Sequence, residues 1–191
     1  MPDTGAPWNI PYVEAADLVS DWPADSLALA NAIDAGLDAA GNAGIGSNVV
    51  QAIKTDSFTT SSSTYVDVTD LEVTITPSSN TSKILLIGYV QISSSATGGG
   101  GIWQFLRDST AVGVATQGTR KGSAATVLSN GTNRINSAVA VFLDTPATAS
   151  AVTYKIQVAE IGAASTVYVN RYSNATSIGT ASGLIAIEVA A

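Results

Sequence analysis

Two glutamates stand where a carboxylate is uncommon. Glu160 follows Val158-Ala159 and precedes Ile161, and Glu188 lies inside Ile185-Ala186-Ile187-Glu188-Val189. Paired carboxyls on either side of a glycosidic bond are what sugar hydrolysis requires. Other chemistries are closed by residue type: the chain has no Cys and no His. That removes disulfides, a thiolate nucleophile, Cys/His zinc sites and the Ser-His-Asp triad. Gly98-Gly99-Gly100-Gly101 is not a phosphate loop, because no Lys-Ser/Thr follows and Ile102-Trp103 begins a strand instead of a helix. A flexible hairpin tip is expected there. Trp103, Tyr172 and Arg120-Lys121 could touch a sugar or a receptor, or be ordinary rim residues. Three sequons, at Asn80, Asn130 and Asn174, are expected by chance in so Ser/Thr-rich a chain. Nothing in the sequence brings Glu160 and Glu188 together, and no cofactor or metal cluster is indicated. The reading is of a protein that is not an enzyme.

Composition points the same way. Of 191 residues, 46% are hydrophobic and only 12% charged, against roughly 25% charged in ordinary globular proteins. Ser, Thr, Ala, Gly and Val fill the gap, as in β-rich proteins that bury surface against copies of themselves. The charge is uneven. Asp3, Glu14, Asp17, Asp21, Asp25, Asp34 and Asp38 fall within residues 1–42 with no Lys or Arg, so the net charge of −7 sits there. Such a segment disfavours nucleic acid and suits a basic protein surface. Apolar runs such as Ile84–Ile87 and Val139–Leu143 are far too short to span a bilayer, and residues after Met1 lack the pattern of a signal peptide. Neither a nucleic acid nor a membrane is expected as a partner.

The elements that must carry any site follow in order. Residues 1–24 interleave Pro2, Pro7, Pro11 and Pro23 with Trp8, Ile10, Tyr12, Val13, Leu18 and Trp22. Proline favours extended chain, and Trp and Tyr are the usual anchors of interfaces. An acidic docking arm is predicted, with Trp8, Ile10, Tyr12, Val13 and Trp22 as its anchors. Residues 25–41 should be a short helix, capped by Asp25 or Ser26 and stopped by Gly41, with Leu29, Ile33 and Leu37 on one face. That stripe packs either around an axis with other copies or on the chain's own β-domain. A Gly-rich spacer, 42–47, leads to residues 48–191. There, Val49–Phe58, Thr64–Val68, Leu71–Thr76, Lys83–Ser93, Ile102–Arg107, Ala111–Ala115, Ala124–Leu128, Ile135–Leu143, Val152–Ala159, Thr166–Tyr172 and Leu184–Val189 read as strands. So many short strands without helices between them predict an all-β fold, a jelly-roll β-sandwich.

Within that pattern, Val50–Phe58, Thr64–Val68, Val73–Leu85, Leu106-Arg107-Asp108, Phe142–Pro146, Thr153–Gln157, Thr166–Arg171 and Ile185–Val189 resemble a domain common in phage and marine viral structural proteins. That domain is itself similar to the trimeric jelly-roll heads of tumour-necrosis-factor and complement-type proteins. Pro7–Val13 together with Ala35–Ala40 resembles minor tail or fibre proteins of actinobacterial phages. The resemblance implies a homotrimeric virion component: a tail fibre or minor tail protein whose arm docks on another virion protein and whose head can meet a host receptor or glycan. A capsid-decorating or head-fibre protein is the alternative, and a small glycan-processing tail enzyme a more distant one.

Overall fold

The computed structural model describes residues 22–42, 45–114, 118–129, 134–162, 164–172 and 179–190. It resolves into two compact units, residues 1–47 and 48–191. In the first, helix α1 runs Trp22–Asn42, three residues earlier than the predicted start at residue 25. Pro23 therefore sits in the first turn, where its missing N–H costs nothing, instead of preceding the helix. Trp22, expected at the end of the arm, opens the helix; Trp8, Ile10, Tyr12 and Val13 lie outside the described residues.

The second unit is a jelly-roll sandwich of antiparallel strands. They are β1 (Ile45–Lys54), β2 (Phe58–Thr60), β3 (Val66–Ile75), β4 (Lys83–Ser94), β5 (Gly99–Arg107), β6 (Thr110–Val112), β7 (Ala125–Leu128), β8 (Asn136–Asp144), β9 (Val152–Gly162), β10 (Val167–Val169) and β11 (Ser182–Val189). One sheet runs β1-β11-β4-β8, with β10 and β2 continuing beside the far end of β4; the other runs β3-β9-β5, with β6 and β7 both pairing β5. Successive long strands alternate between the sheets, which wraps the chain around a single core.

Alternation builds that core. Val73 and Ile75 of β3, Ile84, Leu86, Val90 and Ile92 of β4, Trp103 and Phe105 of β5, and Tyr154, Ile156 and Val158 of β9 are buried together. The Trp103 and Phe105 rings meet edge to face, 5.1 Å between centroids. A side chain at Gly88 would stand 2.8 Å from both rings, so the opposite strand must be bare there. Trp103, a candidate contact residue by sequence, is wholly buried and unable to meet a ligand.

Two expected strands, Thr64–Val68 and Leu71–Thr76, are one strand, β3. Its register with β9 slips between Asp67 and Glu72. Asp70 sits at the irregularity with φ of 65°, a left-handed conformation that a short polar side chain tolerates. The glycine run is a correction. Gly99, Gly100 and Gly101 are the first residues of β5, paired with Gly162, Ile161 and Glu160 of β9, and not a flexible tip.

Candidate assembly interface

The two sheets present opposite outward chemistry. On the β3-β9-β5 sheet, Lys155 is ion-paired with Asp67 at 3.3 Å and Glu72 at 3.0 Å. Hydrogen bonding to Glu72, and then to Asp67, raises the Lys155 pKa. Gln157 donates to Asp67 at 2.7 Å, Gln104 donates to Gln157 at 2.9 Å, and Thr74 and Thr153 share a hydrogen bond of 2.9 Å. This is a face built for water.

On the outward row of the β1-β11-β4-β8 sheet no ion pair is found among the described residues, and its polar contact is one Gln91–Ser137 hydrogen bond of 3.0 Å at one end. Its ladder places Val139 beside Tyr89, Val141 beside Ile87 and Leu143 beside Leu85. On the other side of β4, Ile187 lies beside Leu85 and Ile185 beside Ile87. Because strand residues alternate between faces, this row points outward when Ala138, Ala140 and Phe142 point into the core. Val139 is 59% exposed, Val141 62% and Leu143 45%, and β1 adds the exposed Val49 and Ile53. Lys83 stands at the row's margin, opposite Val189. Monomeric proteins rarely leave so continuous an apolar patch open, and such patches mark interaction sites.

One end of the row is flattened. Gly183 pairs with Tyr89, and a side chain at Gly183 would stand 2.6 Å from the Tyr89 ring and hydroxyl. The missing side chain lets the phenol lie over the neighbouring strand instead of standing off the sheet. A flat, uncharged, apolar surface is what a second protein surface packs against closely.

Buried polar groups brace the edges of this sheet. Lys54, with its ammonium inside, donates to Asp56 at 2.7 Å and Thr69 at 3.1 Å and reaches Asp70 at 3.5 Å. The Lys54 bond holds the Asp56 carboxyl below its usual range. Asn170 ties the same corner together, donating to the carbonyls of Lys54 and Asp56 and accepting from Ser182. At the end of β8, Asp144 takes two bonds from Arg107, at 3.1 and 3.0 Å, and one from the Tyr154 hydroxyl at 2.7 Å. Burial, and then Asp144, pushes the Tyr154 pKa up. Sequence reading missed Lys54, although a lysine closing the run Val49–Ile53 just before Asp56 is a readable sign of an internal ion pair.

The two glutamates do not form a pair. Glu188 is 1% exposed beside Ile84, and its carboxylate accepts from the Ser78 backbone N–H at 2.7 Å and the Ser78 hydroxyl at 2.5 Å. Glu160 lies across from Gly101, whose face meets Ile92, eight residues along β4 from Ile84. At ~3.3 Å per strand residue that separation is roughly 25 Å, against the roughly 5–10 Å that glycosidic cleavage needs. Glu188 has a structural task, clamping the β3–β4 turn to the last strand.

Of the helix residues singled out, Leu29 is half-buried and Ile33 and Leu37 are exposed, Leu37 at 67%. Arg120 and Lys121 are exposed and Tyr172 half-buried. Lys121 donates to the Ser63 carbonyl and stands 5.7 Å from the Tyr65 ring. Tyr65 itself donates to the Gly122 carbonyl, and burial pushes its pKa up to about 12.

Among solved structures, the chain is similar to the infectious bursal disease virus Gt strain structure, with 14% identity and a TM-score of 0.41, over 75% of this chain and 38% of that one. It is likewise similar to the VP2 subviral particle of the same virus, with 13% identity and a TM-score of 0.40, over 75% and 38% of the two chains. This chain thus spans less than two fifths of the length of those it matches. No family model and no curated protein matches it.

Proposed function

We infer that the chain is a non-enzymatic structural subunit of a phage virion, a homotrimeric short fibre or knob of the tail. In this reading residues 1–24 dock it on another virion protein and the sandwich is its exposed head. The observation that carries the reading is the division between the two outer faces, one laced with ion pairs and one apolar and unpartnered. Copies of the chain meet through the apolar face of the β1-β11-β4-β8 sheet. Its character matches itself, and an obligate interface resembles a core cut in two. The number three, the virion and the tail are supported by the resemblance of the sandwich strands and of Pro7–Val13 given above. The position of Glu160 and Glu188 at opposite ends of the sandwich supports a role without catalysis.

Residues 48–191 are expected to run as a trimer in light scattering, since the face lies wholly on that unit. A monomer at micromolar concentration would overturn the assembly reading. Chain lacking residues 1–23 is expected to remain a trimer and to be absent from purified particles, because the aromatic anchors and four of the seven acids of residues 1–42 are gone. Incorporation at normal copy number would show that the head docks directly. A mass-spectrometric copy count on intact particles decides the position: a few copies fit a tail, and copies in proportion to shell subunits fit a decoration protein.

A further inference from the structure

A shallow cleft of about 330 Å³ opens at one end of the sandwich, lined by Ser61, Ser95, Glu160, Ala164, Ser165 and Thr166. It draws on three connections, β2–β3, β4–β5 and β9–β10, and backbone bonds hold them together. The Glu160 N–H donates to the Ser62 carbonyl at 2.8 Å, and Ser95 and Thr166 bond through Ser95 N–H to Thr166 O at 3.0 Å. The Thr166 N–H also donates to the Ser95 hydroxyl at 2.8 Å. Ser165 leans on the Glu160 carboxylate at 3.3 Å.

The glycine run lies behind one wall of the cleft, at Ser165. A side chain at Gly99 would stand 2.6 Å from the Ser165 hydroxyl oxygen and 2.7 Å from that of Ser94. The bare strand at Gly99 leaves the Ser165 hydroxyl its place in the lining, against the Glu160 carboxylate, so this part of the cleft is set before any ligand arrives, which lowers the cost of binding.

Its chemistry narrows the ligand. No Lys or Arg is among the lining residues, so an anionic group would meet only Glu160 and be repelled. Ala164 is the sole apolar wall, too little for an apolar ligand. A cation would gain little, because an ion pair with one solvent-facing carboxylate is worth only ~0–1 kcal/mol. A neutral polyol gains most. Each serine or threonine hydroxyl both donates and accepts, and a carboxylate accepts from two adjacent hydroxyls at once.

We propose that this cleft binds a neutral saccharide. The chain enters the sandwich at Asn48, whose amide donates to the Thr76 carbonyl at 2.9 Å, beside the end of β3 that pairs with Val152. Glu160 lies eight residues further along β9, roughly 25 Å away at strand spacing. The cleft is therefore at the end remote from the entry of the chain. Its outward placement on a particle rests on the reading that the N-terminal arm docks there; the binding itself does not.

The test is saturation-transfer NMR on the intact protein with methyl glucoside, methyl galactoside, methyl mannoside, N-acetylglucosamine and their common disaccharides, with butylammonium as the cationic probe. Transfer to at least one neutral sugar is expected. Glu160→Gln, which keeps the shape of the cleft, should weaken that sugar at least about tenfold, the worth of hydrogen bonds to a charged acceptor. Ser61→Trp should fill the cleft and abolish transfer. No neutral sugar bound, equal binding by both variants, or binding of butylammonium alone would each overturn the proposal. Light scattering on the same samples keeps the two readings apart. A trimer that binds no sugar sinks the saccharide site only, and a monomer that binds sugar sinks the assembly only.

Discussion

Replacing Val139 and Val141 together by lysine is expected to turn the proposed trimer into a folded monomer. Both side chains already lie more than half in water within one subunit, so each lysine can keep its ammonium solvated while the chain is alone. The cost to the isolated fold should stay within about 0.5 kcal/mol per site, as for surface substitutions elsewhere. In the assembly the same ammonium groups would be dried without a counter-charge, at several kcal/mol each. Since 1.4 kcal/mol is tenfold, the association constant should drop at least about a thousandfold. Analytical ultracentrifugation reads the oligomer and urea unfolding reads the fold. A variant that stays trimeric would place the contact elsewhere. One that unfolds would mean that these residues belong to the subunit's own core.

The second large effect is expected at Glu188. Burial pushes its carboxyl up, but the hydroxyls of Ser78 and Ser82, the Ser78 backbone N–H and the Asn48 amide together hold it below the ordinary value of 4.5. The charged form is thus favoured by folding. Its contribution is fully present above the ordinary glutamate value and is lost as pH falls through the lower, folded-state value. Glu188→Ala leaves the Ser78 donors inside without an acceptor and should cost about 3 kcal/mol at neutral pH. Glu188→Gln keeps the shape but not the charge. Its deficit relative to the parent chain should shrink as the solution is acidified, read from urea midpoints at neutral and acid pH. A deficit that is constant with pH would mean that the carboxylate's charge plays no part in the clamp.

The fold was legible from the sequence because the strands announce themselves in two ways. Alternating segments such as Leu71–Ile75 and Tyr154–Val158 show the period of a half-buried strand. The unbroken apolar runs of β4 and β8 show strands that want cover on both sides. What could not be read was where the second cover lies. Val139 and Val141 look no different in sequence from Ala138 and Ala140. Only the register against β4 separates the row that fills the core from the row that does not. The glycine run was misread for a related reason: glycine usually marks a turn. Here close approach by Ser94 and Ser165 on one side and by the Val127 carbonyl on another demands bare strand. Glu188 was singled out correctly by its apolar neighbours, but its task depends on Ser78, a residue distant in sequence and unremarkable in type. The helix shows the limits of local signals, since Pro23 served as a boundary marker when it is in fact the second residue of the helix.

The apolar face also sets the conditions under which subunits assembled as proposed would stay together. Among the described residues its exposed row has no ion pair for salt to screen, so an assembly made through it should hold equally well in dilute buffer and in brine. Sulfate-rich media should tighten it. Cooling should have the opposite effect, because the attraction between apolar surfaces in water fades as temperature falls. Storage on ice, usually the safe choice, would be the setting in which the proposed assembly comes apart.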